Sequence, residues 1–263
     1  MHRIDENPGI RFFCDLDHTL IYSHRVPIAE PKTEVEYLNG KAQSFMTLRT
    51  LSFLQSQNLI RLIPVTTRSK AQFDRLPIFR EDLRCDYALI CNGGVLLVDG
   101  IEEEAWYRES LSMVSEELPE LHSLRQLAEQ LSPASRIHDV HCLYFYLKHS
   151  EPEVFARQFI QYAQPQKVRV LYDRHKVYFL PVSLNKGSAV ARFAKRFGPA
   201  MSVAAGDSEF DISMLRKADI RIVPPALKQY LPPENTHVVE DGIFSDGICT
   251  VLNISIKRGI PQK

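Results

Sequence analysis

The chain has 263 residues, and its 32 Lys and Arg balance 32 Asp and Glu, so its formal net charge at pH 7 is zero. This length suits one large domain or two modest ones. The balanced charge lacks the excess of basic residues that is typical of proteins that bind nucleic acid or an anionic membrane. No apolar run approaches the ~18 residues of a membrane span. Residues 1–6 lack the apolar core of a signal peptide. We therefore expect a cytoplasmic protein that binds neither nucleic acid nor membrane.

The first predicted element is a short apolar strand, Ile10–Cys14, that ends in two carboxylates. Strand alternation places Asp15 and Asp17 on the same side. One such carboxylate can attack phosphorus and become an aspartyl phosphate, while the other protonates the leaving oxygen and then activates water. Two anions would repel an anionic substrate, so this chemistry needs a divalent cation with oxygen ligands, for which Mg²⁺ is the best candidate. Asp-x-Asp also occurs in turns, and this segment alone leaves both interpretations open.

Asn39-Gly40 is the strongest hairpin signal in the chain, and it lies between residues 34–38 and 41–43. The pattern predicts a two-stranded flap beside Asp15. After the flap, spaced apolar residues predict a helix that ends near Asn58. Its inward face is expected to consist of Phe45, Leu48, Leu51 and Leu54.

A second buried strand, residues 59–65, runs into Thr66-Thr67-Arg68-Ser69. A hydroxyl at the end of a strand can donate to a phosphoryl oxygen, although Thr66 could equally be a helix cap. If it is not a cap, Thr66 is a candidate ligand for a phosphoryl group.

Lys186 opens a later helix whose apolar face consists of Ala189, Val190, Phe193, Ala194 and Phe197. The helix dipole disfavours a cation in the first turn. This unfavourable placement indicates a functional role, because a fixed ammonium can hold a phosphate and offset the charge of a nucleophile. The alternative is a solvated surface lysine.

A further strand, residues 201–205, runs into Gly206 and Asp207, with Asp211 shortly after. Gly206 permits a tight turn from which Asp207 can reach a metal beside Asp15, although either acid could be a helix cap. All four motifs follow predicted strands or begin the next helix. Open α/β sheets bind ligands at that edge, so their common placement favours one site.

Lys186 lies 120 positions after Thr66, whereas one β/α unit needs about 30 residues. The interval contains its own predicted helices and strands, which is typical of an inserted α/β cap with a small core. We predict a Rossmann-like parallel-sheet core at residues 1–94 and 183–263 and a cap at residues 95–182.

The sequence resembles the haloacid dehalogenase-like hydrolases, specifically the Cof-type branch that includes sucrose-phosphate phosphatase and mannosyl-phosphoglycerate phosphatase. The resemblance spans nearly the whole chain, and its ordered set of motifs is far more specific than any one of them. The motifs are Asp15-Leu16-Asp17-His18-Thr19-Leu20, Thr66-Thr67-Arg68, Asn92-Gly93-Gly94, Lys186-Gly187 and Gly206-Asp207-Ser208-Glu209-Phe210-Asp211.

The resemblance implies a Mg²⁺-dependent phosphatase that acts on a small phosphorylated metabolite such as a sugar phosphate. Asp15 would be the nucleophile and Asp17 the general acid and base. Mg²⁺ would be held by the Asp15 carboxylate, the Asp17 backbone carbonyl and Asp207, with Asp211 supporting them.

The resemblance further implies that Thr66 and Lys186 bind the phosphoryl group and that Arg68 and Asn92 lie near the substrate. Thr67 belongs to the same substrate-binding segment.

The sequence departs from the family pattern at three positions. His18 and Thr67 each replace a usual glycine, and Phe210 replaces the usual asparagine. The first two add bulk beside the site and are expected to narrow its entrance. The third removes a polar group near the metal.

Two other functions remain open. A phosphomutase could use the same aspartyl phosphate and return the phosphoryl group to a sugar. A catalytically silent regulatory protein is the non-enzyme alternative, against which the joint presence of Asp15, Asp17, Lys186 and Asp207 argues. Dehalogenation is disfavoured because it needs neither an acid at Asp17 nor Mg²⁺. The sequence leaves the physiological substrate and the oligomeric state open.

Overall fold

The computed structural model describes residues 9–257, so the expectation about residues 1–6 lies outside the described residues. The strands are β1 (Ile10–Cys14), β2 (Tyr22–Ser23), β3 (Lys32–Leu38), β4 (Lys41–Thr47), β5 (Ile60–Pro64), β6 (Tyr87–Ile90), β7 (Val95–Val98), β8 (Ile101–Glu102), β9 (Ile137–Val140), β10 (Tyr144–Lys148), β11 (Val168–Asp173), β12 (Lys176–Pro181), β13 (Ser202–Ala205), β14 (Ile220–Val223) and β15 (Thr236–Val238). The helices are α1 (Leu48–Ser56), α2 (Lys70–Phe73), α3 (Ile78–Glu81), α4 (Glu104–Val114), α5 (Leu118–Leu131), α6 (Pro152–Ile160), α7 (Lys186–Phe197), α8 (Ile212–Leu215) and α9 (Phe244–Lys257).

A parallel sheet with the strand order β15-β14-β13-β1-β5 forms the centre of the fold. Phe12 of β1 packs with residues of α1 and α9, whereas the adjacent Phe13 packs with residues of α7 and α8. Helices therefore cover both faces of the sheet. This explains why β1 is an almost continuous apolar run rather than an alternating one. The predicted α/β fold class with a Rossmann-like parallel sheet is confirmed.

The predicted hairpin is also confirmed, since β3 and β4 pair antiparallel around Asn39 and Gly40. Both turn residues have positive φ, 52° and 73°, as a two-residue turn of this type requires. The helix that follows begins later than predicted. The Thr47 hydroxyl accepts a hydrogen bond from the backbone N–H of Thr50 and so caps α1. Phe45 therefore belongs to β4, and Leu48 is 44% exposed rather than facing inward.

A second sheet is antiparallel, with the strand order β11-β12-β10-β9, and lies within the interval predicted to be inserted. It has a separate apolar cluster with α5 and α6, formed by residues that include Leu124, Phe145, Phe159 and Phe179. The domain bounds at 94 and 183 stay a prediction. Leu96 and Trp106, on the cap side of that line, pack in one cluster with Phe193 of α7.

Within residues 9–257, no helix has both the length and the apolar character needed to span a membrane.

Candidate active site

Three neighbouring strands end at the candidate site. Asp15 follows β1, Thr66 follows β5 by two residues, and Asp207 follows β13 by two residues. The sheet pairing continues past β1, because the backbone N–H of Asp15 donates to the Ala205 carbonyl at 3.0 Å. This bond fixes the start of the loop that carries Asp15. The carboxyl ends of these parallel strands thus meet at the edge where such sheets bind ligands.

The ammonium group of Lys186 lies between two carboxylates. Nζ donates to Oδ1 of Asp15 at 2.5 Å and to Oδ1 of Asp211 at 2.6 Å, and all three side chains are almost fully buried. Burial alone would lower the pKa of Lys186, but the charges of Asp15 and then of Asp211 outweigh burial and raise it. Lys186 therefore stays charged beside Asp15. The Asn185 side chain caps α7 at Ser188 N, and so sets where the helix begins.

Asp211 organises the loop that carries Asp207. Its Oδ2 accepts hydrogen bonds from the backbone N–H groups of Asp207 and Ser208, at 3.1 and 3.0 Å. A Cβ at Gly206 would lie 2.4 Å from the Asp211 side chain, so this close approach requires glycine. Thr19 Oγ1 donates to Oδ1 of Asp207 at 2.9 Å. Both oxygens of Asp211 thus accept hydrogen bonds from protein donors. This suits the expected role of Asp211, which is to support the residues that would hold the metal.

The donor set fits a hard divalent cation. Oxygen atoms of Asp15, Asp207 and Asp211 lie within 4.8 Å of one another, and Lys186 is the ammonium paired with two of these carboxylates. Burial and then the charge of Asp211 raise the pKa of Asp207 to about 7. An added cation would relieve this excess of negative charge. Carboxylate oxygens are the ligands that Mg²⁺ and Ca²⁺ take.

Asp17 is held by an arginine. Nε and Nη2 of Arg68 donate to the two oxygens of Asp17, both at 2.8 Å. Burial would raise the pKa of Asp17, but the charge and hydrogen bonds of Arg68 outweigh burial and lower this pKa to about 2. Asp17 is therefore ionised at neutral pH in this arrangement.

A cavity of about 530 Å³ opens over these groups. Its wall includes six of the predicted site residues, namely Asp15, Asp17, Thr67, Arg68, Lys186 and Asp207. Thr66, Asn92 and Asp211 are buried outside that wall. Thr66 Oγ1 accepts a hydrogen bond from the backbone N–H of Arg68 at 3.1 Å, and Asn92 Nδ2 donates to the Leu184 carbonyl at 2.9 Å.

All three departures from the family pattern line the cavity. His18 has a left-handed backbone with φ of 66°, where glycine is favoured. The carbonyl of Thr67 accepts a hydrogen bond from the hydroxyl of Tyr144 at 2.7 Å. The rings of Phe210 and Tyr178 pack edge to face, with centroids 5.1 Å apart.

Sequence reasoning missed the cationic residues that the antiparallel sheet contributes to the wall. Lys148 and Lys176 lie on β10 and β12, as Tyr146 and Tyr178 do, and Arg174 lies in the turn before β12. The one available signal was the charged run Asp173-Arg174-His175-Lys176 between two apolar strands.

Solved structures of haloacid dehalogenase-like phosphatases share this fold over nearly its whole length. The sucrose-phosphatase from Synechocystis sp. PCC6803, in complex with sucrose and phosphate, is 15% identical with a TM-score of 0.66, and the match covers 94% of this chain and 98% of that one. A sugar phosphatase of subclass IIB is 13% identical with a TM-score of 0.61 (93% and 98% covered). A phosphatase of the superfamily from Bacteroides thetaiotaomicron is 14% identical with a TM-score of 0.55 (97% and 97% covered). At these identities the likeness shows the fold.

The model of the sucrose-6F-phosphate phosphohydrolase family matches residues 10–225, and the chain belongs to this family. It is accordingly a phosphoric monoester hydrolase of the sugar phosphatase type, and the family resemblance seen in the sequence is confirmed. A search of curated proteins finds no match.

Proposed function

We propose that this protein hydrolyses a small phosphorylated metabolite, a sugar phosphate or a similar monoester, through an aspartyl phosphate on Asp15. The observation that carries the proposal is the contact of Lys186 Nζ with Oδ1 of Asp15 at the floor of the cavity. A charged ammonium there can bind the phosphoryl oxygens and offset the charge of the attacking carboxylate. Thr66 would be the second phosphoryl ligand, with Thr67, Arg68 and Asn92 near the substrate.

In the first step, a carboxylate oxygen of Asp15 bonds to phosphorus as the bond from phosphorus to the ester oxygen breaks. Protonated Asp17 gives its proton to that oxygen. In the second step, Asp17 takes a proton from water while the water oxygen attacks phosphorus, which releases phosphate and regenerates Asp15. Since Arg68 keeps the pKa of Asp17 low, the first step requires the negative charge of the bound phosphate to raise that pKa, so that Asp17 carries the proton it donates.

We propose that Asp15, the Asp17 carbonyl and Asp207 hold Mg²⁺, with Asp211 supporting Asp207. Bound there, the ion would neutralise charge on the phosphoryl oxygens. The excess of carboxylates over ammonium groups at this point of the site supports this assignment.

We propose that residues 95–182 are a cap that supplies contacts to the leaving group. The cavity wall supports this, because Tyr146 and Tyr178 come from the antiparallel sheet while Asp15 and Lys186 come from the parallel one.

The test is phosphate release from a panel of sugar phosphates, nucleotides and pyridoxal phosphate with Mg²⁺, by wild type and Asp15→Asn. Wild type should release phosphate, and the nearly isosteric variant should release less than a few percent as much while its circular dichroism spectrum is unchanged. Higher activity in a pure variant preparation would exclude the covalent mechanism. Formation of an isomeric sugar phosphate in place of free phosphate would identify a phosphomutase instead.

A further inference from the structure

One part of the cavity wall carries more cations than carboxylates. Lys186 is paired with Asp15, Arg68 with Asp17 and Arg75 with Glu36. The cationic residues that remain on the wall outside such buried pairs are Arg25, Lys148, Arg174 and Lys176. We call these four residues the cationic wall. One carboxylate, Asp173, lies beside these four cations. It is opposite Lys176 in the β11–β12 pairing, and its contact with Arg174 is 3.8 Å long between half-exposed side chains.

The two lysines of the cationic wall lie directly opposite each other in the antiparallel pair β10–β12. Like charges at opposed positions destabilise a sheet. Neither Lys148 nor Lys176 forms an ion pair with a carboxylate in the described part of the chain. This arrangement therefore costs stability in the empty pocket, and a bound anion would remove that cost.

Lys176 is the most enclosed of the four. Its Nζ lies 5.1 Å from the ring centroid of Tyr146 and 5.8 Å from that of Tyr178, so its contacts are with ring faces. Burial lowers the pKa of Lys176, and the charges of Arg68 and Lys148 lower it further against the opposing effect of Asp17 and Asp173. A desolvated ammonium without an ion pair is costly.

A two-residue hairpin turn places Arg174 at the cavity. Arg174 and His175 connect β11 to β12, and Arg174 has φ of 53°. Positive φ is usual in such a turn. The turn directs a second cation to the same part of the cavity as Lys176.

We propose that the cationic wall binds a second anionic group, a carboxylate or a phosphate, on the leaving group of the substrate. This rests on the proposed function, in which the first phosphate lies at Asp15 and Lys186. The cavity volume of about 530 Å³ is within the usual range for small-ligand sites. A neutral sugar in this cavity would leave four cations beside the single carboxylate Asp173 on this part of the wall.

Binding to the Asp15→Asn variant separates recognition from turnover. The clean pair of probes is 6-phosphogluconate and sorbitol 6-phosphate, which differ by a carboxylate in place of a hydroxymethyl group. A second pair, fructose 1,6-bisphosphate and fructose 6-phosphate, tests a phosphate as the second anion. With Mg²⁺ present, calorimetry should give at least about tenfold tighter binding for one of the doubly anionic probes, and that ratio should fall as salt is raised. The pair with the larger ratio identifies the second group.

The matched substitutions are Lys176→Gln and Lys167→Gln, both in the Asp15→Asn background. Lys176→Gln should reduce the affinity ratio at least about threefold. Lys167 lies beside the other end of the same sheet and outside the cavity wall. Lys167→Gln should therefore leave the affinity ratio unchanged. Equal affinities for both members of each pair would overturn the proposal, as would an unchanged ratio in Lys176→Gln.

Failure of this inference is distinguishable from failure of the proposed function. Phosphate release by wild type without a binding preference for the second anion would retain the phosphatase and overturn the role of the cationic wall. A binding preference that depends on Lys176, with no phosphate release from any monoester, would retain the role of the cationic wall and overturn the proposed phosphatase activity.

Discussion

The buried carboxylate of Glu36 accepts hydrogen bonds from both terminal nitrogens of Arg68, each 3.0 Å long. Glu36 belongs to the flap hairpin, and the same guanidinium also holds Asp17. Arg75 contacts Glu36 at 2.9 Å, and Ser44 Oγ donates to it at 2.7 Å. The flap therefore fixes the position of the arginine that keeps the proposed general acid ionised.

Glu36→Gln should lower the free energy of unfolding by about 3–5 kcal/mol, the usual cost of breaking a buried charge pair from one side. The Glu36 side chain is only 4% exposed, so the arginines would keep buried charge without their shared partner. Urea denaturation at neutral pH measures the change. Glu34→Gln, at an exposed position of the same strand, should change stability by less than about 0.5 kcal/mol. Similar losses in both variants would mean that the buried contact contributes no special stability.

Asp17→Asn should lower kcat for sugar phosphates by about 10²–10⁴-fold, the usual contribution of general acid and base catalysis. The loss should be smaller for p-nitrophenyl phosphate, because that leaving group departs without protonation. Steady-state kinetics on both substrates provide the comparison, with Asp241→Asn at an exposed position as the control. Equal losses on both substrates would argue against Asp17 as the acid.

Removal of the metal should abolish phosphatase activity. We expect chelation to abolish phosphate release, Mg²⁺ to restore it and Ca²⁺ to fail, because Ca²⁺ takes more ligands at longer distances and would misplace the Asp15 carboxylate. Mg²⁺ should also raise the melting temperature of wild type more than that of Asp207→Asn. Full activity in excess chelator is the result that would contradict a metal at Asp15 and Asp207.

His18→Gly should raise the free energy of unfolding by roughly 0.5–1 kcal/mol, since glycine adopts the φ of 66° found there with less strain than a side chain does. Thermal or urea unfolding measures the gain. His24→Gly, in a nearby turn without positive φ, should give no gain. A loss of stability in His18→Gly would mean that the contact of the imidazole with Tyr22, at 6.2 Å between ring centroids, outweighs the backbone strain.

Sequence alone determined the features that depend on local chemistry. The apolar run Ile10–Cys14 and the hairpin at Asn39-Gly40 follow from periodicity and turn preference, and both occur in the structure. The convergence of Asp15 and Asp207 also follows, because parallel strands bring their carboxyl ends to one edge. These predictions needed no knowledge of side-chain packing between distant segments.

Tertiary structure decided the features that depend on register. Simple alternation along β3 would place Val35 and Glu36 on opposite faces, yet both are buried, because the pairing with β4 shifts at Glu36 and such a bulge redirects side chains. The cationic wall arises in the same way. Lys148 and Lys176 are 28 positions apart in the sequence and meet only through the pairing of β10 with β12. Local propensity cannot specify such a pairing, because the free energy that selects it comes from burial of the whole sheet against its helices.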